Sequence, residues 1–220
     1  MPAVVTAKEP RKILWIVFFS IAMAVVETAI VVYLRKLYYP EGFGFPLKPI
    51  DLATFAIELG REVATIVMLC AVGVLAGRCF WERFAYFLIA FGVWDIAYYI
   101  WLKVFLNWPA SLFDWDILFL LPLPWIGPVI APCSIAVIMM VVGFPIIRLY
   151  EKGFNFRPTL LTWILVISAT AILLYSFMRD LPATLHFQTP QPYLYGLLII
   201  CDILYLIAYL HSHSHTRKSK

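Results

Sequence analysis

The sequence predicts an all-α, polytopic integral membrane protein in which about six transmembrane helices form one bundle. Of its 220 residues, 63% are hydrophobic and only 14% are charged. An average soluble domain is about 45–50% apolar and about 25% charged. The apolar residues also fall into long runs, which is typical of helices that cross a bilayer. These observations exclude an ordinary soluble domain and a disordered chain.

Five of the predicted spans are single apolar runs of the length that a transmembrane helix needs, about 17–25 residues. They cover residues 13–34, 52–76, 84–106, 160–178 and 193–210. The remaining run, 117–147, is too long for one straight span. It contains Pro122, Pro124, Pro128, Pro132 and Pro145. Because proline removes an amide donor and clashes with the preceding helical turn, we expect this fourth span to be broken.

The distribution of basic residues predicts the orientation. Eleven Lys and Arg residues lie on one side of the predicted spans and four lie on the other. Cytoplasmic loops carry the excess of positive charge, so both termini are expected in the cytoplasm. The expected organisation is a cytoplasmic tail over 1–12, a transmembrane domain over 13–210 and a cytoplasmic, His-containing basic tail over 211–220. The expected location is a plasma membrane, as in a bacterial cytoplasmic membrane.

A few charged residues fall inside the predicted spans, where each costs about 2.5–3.5 kcal/mol on insertion scales. A rise of about 1.5 Å per residue places the acidic ones roughly 9–17 Å below the outer surface. They are Glu27, Glu58, Glu62, Asp95 and Asp202. Intramembrane charges usually face a bundle interior or a wet cavity. Together with the break in the fourth span, this shared depth predicts a pocket that opens outward.

The second span carries the most specific local pattern. Glu58, Arg61 and Glu62 share one helix face, so Arg61 can pair with either carboxylate. In the third span, Asp95 shares a face with Tyr98 and Tyr99, whose hydroxyls can hydrogen-bond to it.

We therefore expect an enzyme that performs acid/base chemistry on a lipid or isoprenoid, in the manner of a cyclase or isomerase. Glu58 or Glu62 would be the acid and Asp95 or Asp202 the base, with Arg61 as an orienting charge. The expected catalytic set is Glu27, Glu58, Glu62, Asp95 and Asp202. The expected substrate contacts are Arg61, Trp94, Tyr98, Tyr99 and Trp125.

Two other functions remain open. In a non-catalytic membrane subunit or assembly factor, the ion pairs would be structural. A small-solute or proton-coupled transporter would use the broken span, although the inner halves of the spans carry few charges.

The sequence also limits which cofactors and partners are expected. No cofactor or metal site is predicted, although carboxylates alone could hold a divalent cation. The expected partners are membrane lipids and an apolar or lipid substrate, but not nucleic acid. A membrane protein partner or a second copy of the chain is left open.

Overall fold

The computed structural model describes residues 9–121 and 123–218. Residues 1–8 of the expected N-terminal tail, Pro122 and residues 219–220 of the expected C-terminal tail lie outside the described residues. The described chain is mostly helical. Its elements are α1 (Glu9–Tyr38), α2 (Leu52–Ala76), α3 (Phe80–Leu106), β1 (Trp115–Phe119), β2 (Trp125–Pro128), α4 (Ile130–Glu151), α5 (Leu160–Met178), α6 (Leu181–Leu185) and α7 (Tyr195–Lys218).

Within the described part of the chain, six helices are long and apolar enough to cross a membrane. They are α1 to α5 and α7. The prediction of a multi-pass, mainly α-helical membrane protein is confirmed at this level. The predicted second span matches α2 at both ends, whereas α1, α3 and α7 extend beyond the predicted runs.

The expected proline-broken helix over 117–147 is wrong in its first part. Its described residues instead begin with the antiparallel strands β1 and β2, in which Trp115 pairs with Pro128 and Ile117 with Ile126. Pro124 precedes β2 and Pro128 ends it, positions where a strand tolerates a missing amide donor. The hairpin also corrects the all-α class, because the chain contains a small two-stranded sheet.

Helix α7 continues into the stretch expected as a tail, 211–220, as far as Lys218. Polar side chains of this last stretch bond to the start of α5. His211 Nε2 lies 3.1 Å from Thr159 Oγ1, and Ser212 Oγ lies 2.8 Å from Thr162 Oγ1. Because the polar side chains at the end of α7 have these hydrogen-bond partners, the helix continues beyond its apolar part.

The central helix is α3, which packs against α1, α2 and α4. Small residues allow its close approach to two of them. A Cβ atom at Gly92 would lie 2.6 Å from the carbonyl oxygen of Ala136 in α4. At Gly73 in α2, a Cβ atom would lie 2.6 Å from the carbonyl oxygen of Arg83 in α3. Side chains larger than glycine do not fit at these two crossings without movement of the backbone.

The helices α5 and α7 form a separate pair, which is joined to the rest through α4 and β2. We call the end of the molecule that holds the β-hairpin the hairpin side. The opposite end, where α7 finishes, is called the distal side. A large cavity lies between the α1–α4 group and the α5–α7 pair.

Candidate functional site

The cavity has a volume of about 1290 Å³, which is larger than most small-molecule sites. Helices α1 to α5 and α7 line it together with the β-hairpin. Most of its wall is apolar and much of that is aromatic. The aromatic wall includes Phe84, Phe87, Phe91, Phe119 and Trp163.

Residues of both α2 and α5 line the cavity, and these two helices have few contacts with each other in the described part of the chain. Phe84 and Trp163 line it and are 39% and 46% exposed, so the cavity wall reaches the apolar surface of the molecule at these side chains. On the distal side, the ring of Trp81 lies 5.9 Å from that of Trp163 and 5.7 Å from that of Phe156. Aromatic contacts thus form the distal end of the cavity wall.

The polar side of α2 faces inward. Its buried residues include Glu58, Glu62 and Thr65, while Ile57 and Val67 on other faces are exposed. The helix begins at Asp51, whose Oδ1 accepts a hydrogen bond of 2.9 Å from the Thr54 amide. A helix with a polar inner face and an apolar outer face suits a lipid environment around a polar site.

Arg61 lies at the centre of a buried ionic cluster, the arginine bridge, which comprises Glu27, Glu58 and Arg61. Its Nη1 donates to Glu27, and its Nε donates to Glu58 Oε2 at 2.9 Å. Thr65 Oγ1 also donates to Glu27. The bridge joins α1 to α2. Arg61 thus pairs with Glu58, as the sequence predicts. Its second partner is Glu27 and not Glu62, the other carboxylate on the same face of α2.

Glu62 has a different partner, the backbone of the β-hairpin. The Leu120 amide donates to both carboxylate oxygens, at 3.0 and 2.8 Å. Glu62 forms no ion pair within the described residues. It therefore holds the hairpin against α2 without a direct ion-pair partner.

A second ion pair, which the sequence analysis did not include in the site, joins Arg35 of α1 to Asp116 of β1. Their Nη2 and Oδ1 atoms are 2.8 Å apart. The guanidinium carbon of Arg35 lies 4.1 Å from the ring centre of Phe43 and 3.8 Å from that of Trp108. Burial raises the pKa of Asp116, whereas the Arg35 charge acts to lower it. Two turns separate Glu27 from Arg35, and that helical spacing could have indicated their shared face.

Asp95 lines the same cavity, is only 8% exposed and forms no hydrogen bond or ion pair in the described part of the chain. The expected hydrogen bonds from Tyr98 and Tyr99 are therefore absent. The two tyrosine rings pack on each other with centres 5.1 Å apart, and Tyr98 stacks on Trp94 at 6.2 Å. The charged neighbour of Asp95 is Asp116, which is also a carboxylate.

Asp202 does not join the other carboxylates. It lies on α7 near Ser134 of α4, is absent from the cavity wall, and its Oδ1 is buried without a partner. Trp125 does line the cavity, from β2, and stacks on Phe177 with ring centres 6.0 Å apart. The structure thus brings four of the five predicted carboxylates to one cavity and leaves Asp202 outside it.

No group of three or more His, Cys, Asp or Glu side chains within residues 9–121 and 123–218 is arranged to hold a metal ion. Comparisons of the chain with protein-family models, curated proteins and solved structures found no match. The arrangement of the cavity is therefore the basis for considering function.

Proposed function

We propose that this chain is an intramembrane enzyme that performs acid/base chemistry on a lipid or isoprenoid, as an isomerase or cyclase does. The observation that carries the proposal is Asp95, a buried carboxyl group on the wall of an aromatic cavity with no cation or hydrogen-bond donor to hold it. Buried polar groups are normally paired in a folded protein. An unpaired carboxyl group on a cavity wall is therefore a candidate for contact with a substrate.

The contacts of the other carboxylates assign the roles in this proposal. Arg61 holds Glu27 and Glu58, and Arg35 holds Asp116, so these three are positioning groups. Asp95 is the candidate acid, and Glu62, which has no ion-pair partner in the described residues, is the candidate base. This reverses the sequence-based expectation, in which Glu58 or Glu62 was the acid and Asp95 or Asp202 the base.

The reaction consists of two proton transfers. Asp95 donates a proton to a carbon–carbon double bond, which leaves a carbocation and the Asp95 carboxylate. Glu62 removes a proton from a carbon next to the cation, which forms the new double bond and leaves the substrate formula unchanged. Water that enters from the hairpin side returns a proton to Asp95 and takes one from Glu62. Aromatic faces such as those of Trp94 and Phe91 stabilise the cation.

The exposed aromatic side chains on the cavity wall, Phe84 and Trp163, support a substrate that comes from the bilayer. A cavity of about 1290 Å³ has room for a long apolar chain. In the same proposal, both termini lie in the cytoplasm of a plasma membrane, and the carboxylates lie in its outer half. The bias of basic residues supports that orientation.

Incorporation of deuterium tests the proposal. The purified protein in nanodiscs is incubated in D₂O with a total lipid extract and a panel of unsaturated isoprenoid lipids. After back-exchange in H₂O, we expect mass spectrometry to find carbon-bound deuterium in one lipid class. The variant Asp95→Asn should abolish the signal, and the exposed control Glu151→Gln should keep it. Absence of wild-type incorporation from a folded protein would refute the proposal.

A second candidate is a non-catalytic, lipid-binding subunit. The arginine bridge favours it, because a fully paired cluster between two helices can serve stability alone. Such a subunit would incorporate no deuterium. It would also co-purify with the same lipids in wild type and in Asp95→Asn.

A further inference from the structure

The acidic and basic groups on the cavity wall do not balance. Five carboxyl groups line it, against two arginines and Lys48. Lys48 is exposed on the hairpin side, where its ammonium group lies 5.4 Å from the ring centre of Tyr39. Only the arginines are therefore inside with the carboxylates.

The ion pairs show where the excess negative charge lies. Arg35 compensates Asp116, and Arg61 is shared by the two carboxylates of the arginine bridge. Glu62 and Asp95 form no ion pair in the described part of the chain. Both are 8% exposed, so water around them is limited.

The surfaces next to these carboxylates are aromatic. Trp94 packs on Phe91 with ring centres 5.3 Å apart, and Phe91 stacks on Phe119 at 6.4 Å. The faces of such rings attract cations within about 6 Å of the centroid. The unpaired carboxylates and the aromatic faces thus both favour a ligand with a positive charge.

We infer that the ligand of this cavity carries a positive charge next to an apolar chain. This inference rests on the proposed function and names the charge that the site selects. A long-chain ammonium compound supplies that charge permanently. A carbocation on an isoprenoid chain supplies it during the proposed reaction, and an ammonium group at the same position imitates it. The apolar chain would lie along the aromatic wall toward the exposed side chains Phe84 and Trp163.

A ligand series with one chain and three head groups tests the inference. The probes are a farnesyl chain with a dimethylammonium, a hydroxyl or a carboxylate group. Their binding to the protein in neutral-lipid nanodiscs is measured by calorimetry, with empty nanodiscs subtracted. We expect one saturable site, with the ammonium compound bound on the order of tenfold more tightly than the alcohol. The carboxylate should bind most weakly.

Variants show whether the predicted groups cause that preference. Asp95 holds a proton as the resting acid and becomes a carboxylate when a cation binds beside it. Asp95→Asn should therefore remove most of the preference for the ammonium compound, and Glu151→Gln should keep it as a control for general surface charge. Asp95 has no partner to lose, but if Asp95→Asn does not fold, Glu62→Gln and the wild-type series still test the inference. Equal binding of the alcohol and the ammonium compound by wild type would overturn it.

The binding result separates this inference from the proposed function. Ammonium-selective binding without deuterium incorporation would leave the inference standing and refute the enzyme. Deuterium incorporation without ammonium selectivity would support the enzyme and overturn the inference.

Discussion

Removal of Arg61 should strongly destabilise the protein. The variant Arg61→Met keeps an unbranched apolar chain at the position but leaves Glu27 and Glu58 without their cation. Both carboxylates are buried, at 3% and 7% exposure. The variant therefore tests whether the arginine bridge holds α1 and α2 together.

The size of the effect follows from the burial of the bridge. Removing one partner of a buried ion pair costs about 3–5 kcal/mol. The Arg61 side chain is 19% exposed, so water screens part of the interaction. We expect the free energy of unfolding to fall by about 3 kcal/mol, at the lower end of that range. The triple variant with Glu27→Gln and Glu58→Gln should recover most of this loss, because it leaves no unpaired charge.

Equilibrium unfolding in mixed micelles measures the effect. Arg148→Met is the matched control, because Arg148 is an exposed cation near the end of α4 and forms no ion pair in the described residues. It should change the free energy of unfolding by less than about 0.5 kcal/mol. The reasoning fails if Arg61→Met stays within about 1 kcal/mol of wild type, or if the triple variant is no more stable than the single one.

Three further results are expected. Gly92→Ala should lower the free energy of unfolding by about 1–3 kcal/mol, because the new Cβ atom would meet α4. Gly60→Ala, where the space around the residue is open, should raise the free energy of unfolding slightly. Thermal unfolding of the two variants and of wild type measures both effects. Glu62→Ala should speed amide hydrogen exchange at Leu120, and unchanged protection there would contradict the observed contact. Hydrogen bonds to the Asp51 carboxylate lower its pKa from 3.8 to about 2. The ionised Asp51 therefore stabilises the start of α2 fully above pH 3.8, and this stabilisation is lost as the pH falls through about 2. The pH dependence of amide exchange in the first turn of α2 should report this, and Asp51→Asn should abolish it.

The sequence predicted the membrane spans well because their signal is local. A run of apolar residues between polar ends suffices to locate α2 at both ends. The hairpin at residues 115–128 was missed because a short apolar run with prolines fits either a broken helix or a pair of strands. The hairpin is held by pairing between its two strands and by the hydrogen bond that the Leu120 amide donates to Glu62. Both contacts join residues that a local sequence pattern does not connect.

The candidate site was predicted only in part, for a related reason. Depth along each helix can be counted from the sequence, and that count placed Glu27, Glu58, Glu62 and Asp95 in one layer. The direction in which a helix face points depends on how the helices are rotated against each other, which spacing within one helix does not determine. Asp202 has a similar depth but faces α4.

The position of the arginine bridge in the chain has a consequence for biosynthesis. Glu27 and Arg61 lie in α1 and α2, which both precede α3 in the chain, so their opposite charges are available to each other before α3 emerges from the ribosome. A lone charge raises the cost of entering the bilayer by about 2.5–3.5 kcal/mol, and a partner in the adjoining helix reduces it. Insertion of α1 and α2 together, with Arg61 paired to Glu27, would therefore be favoured over their separate entry. The Arg35–Asp116 pair, in contrast, can close only after α3 has been inserted and β1 has been translated.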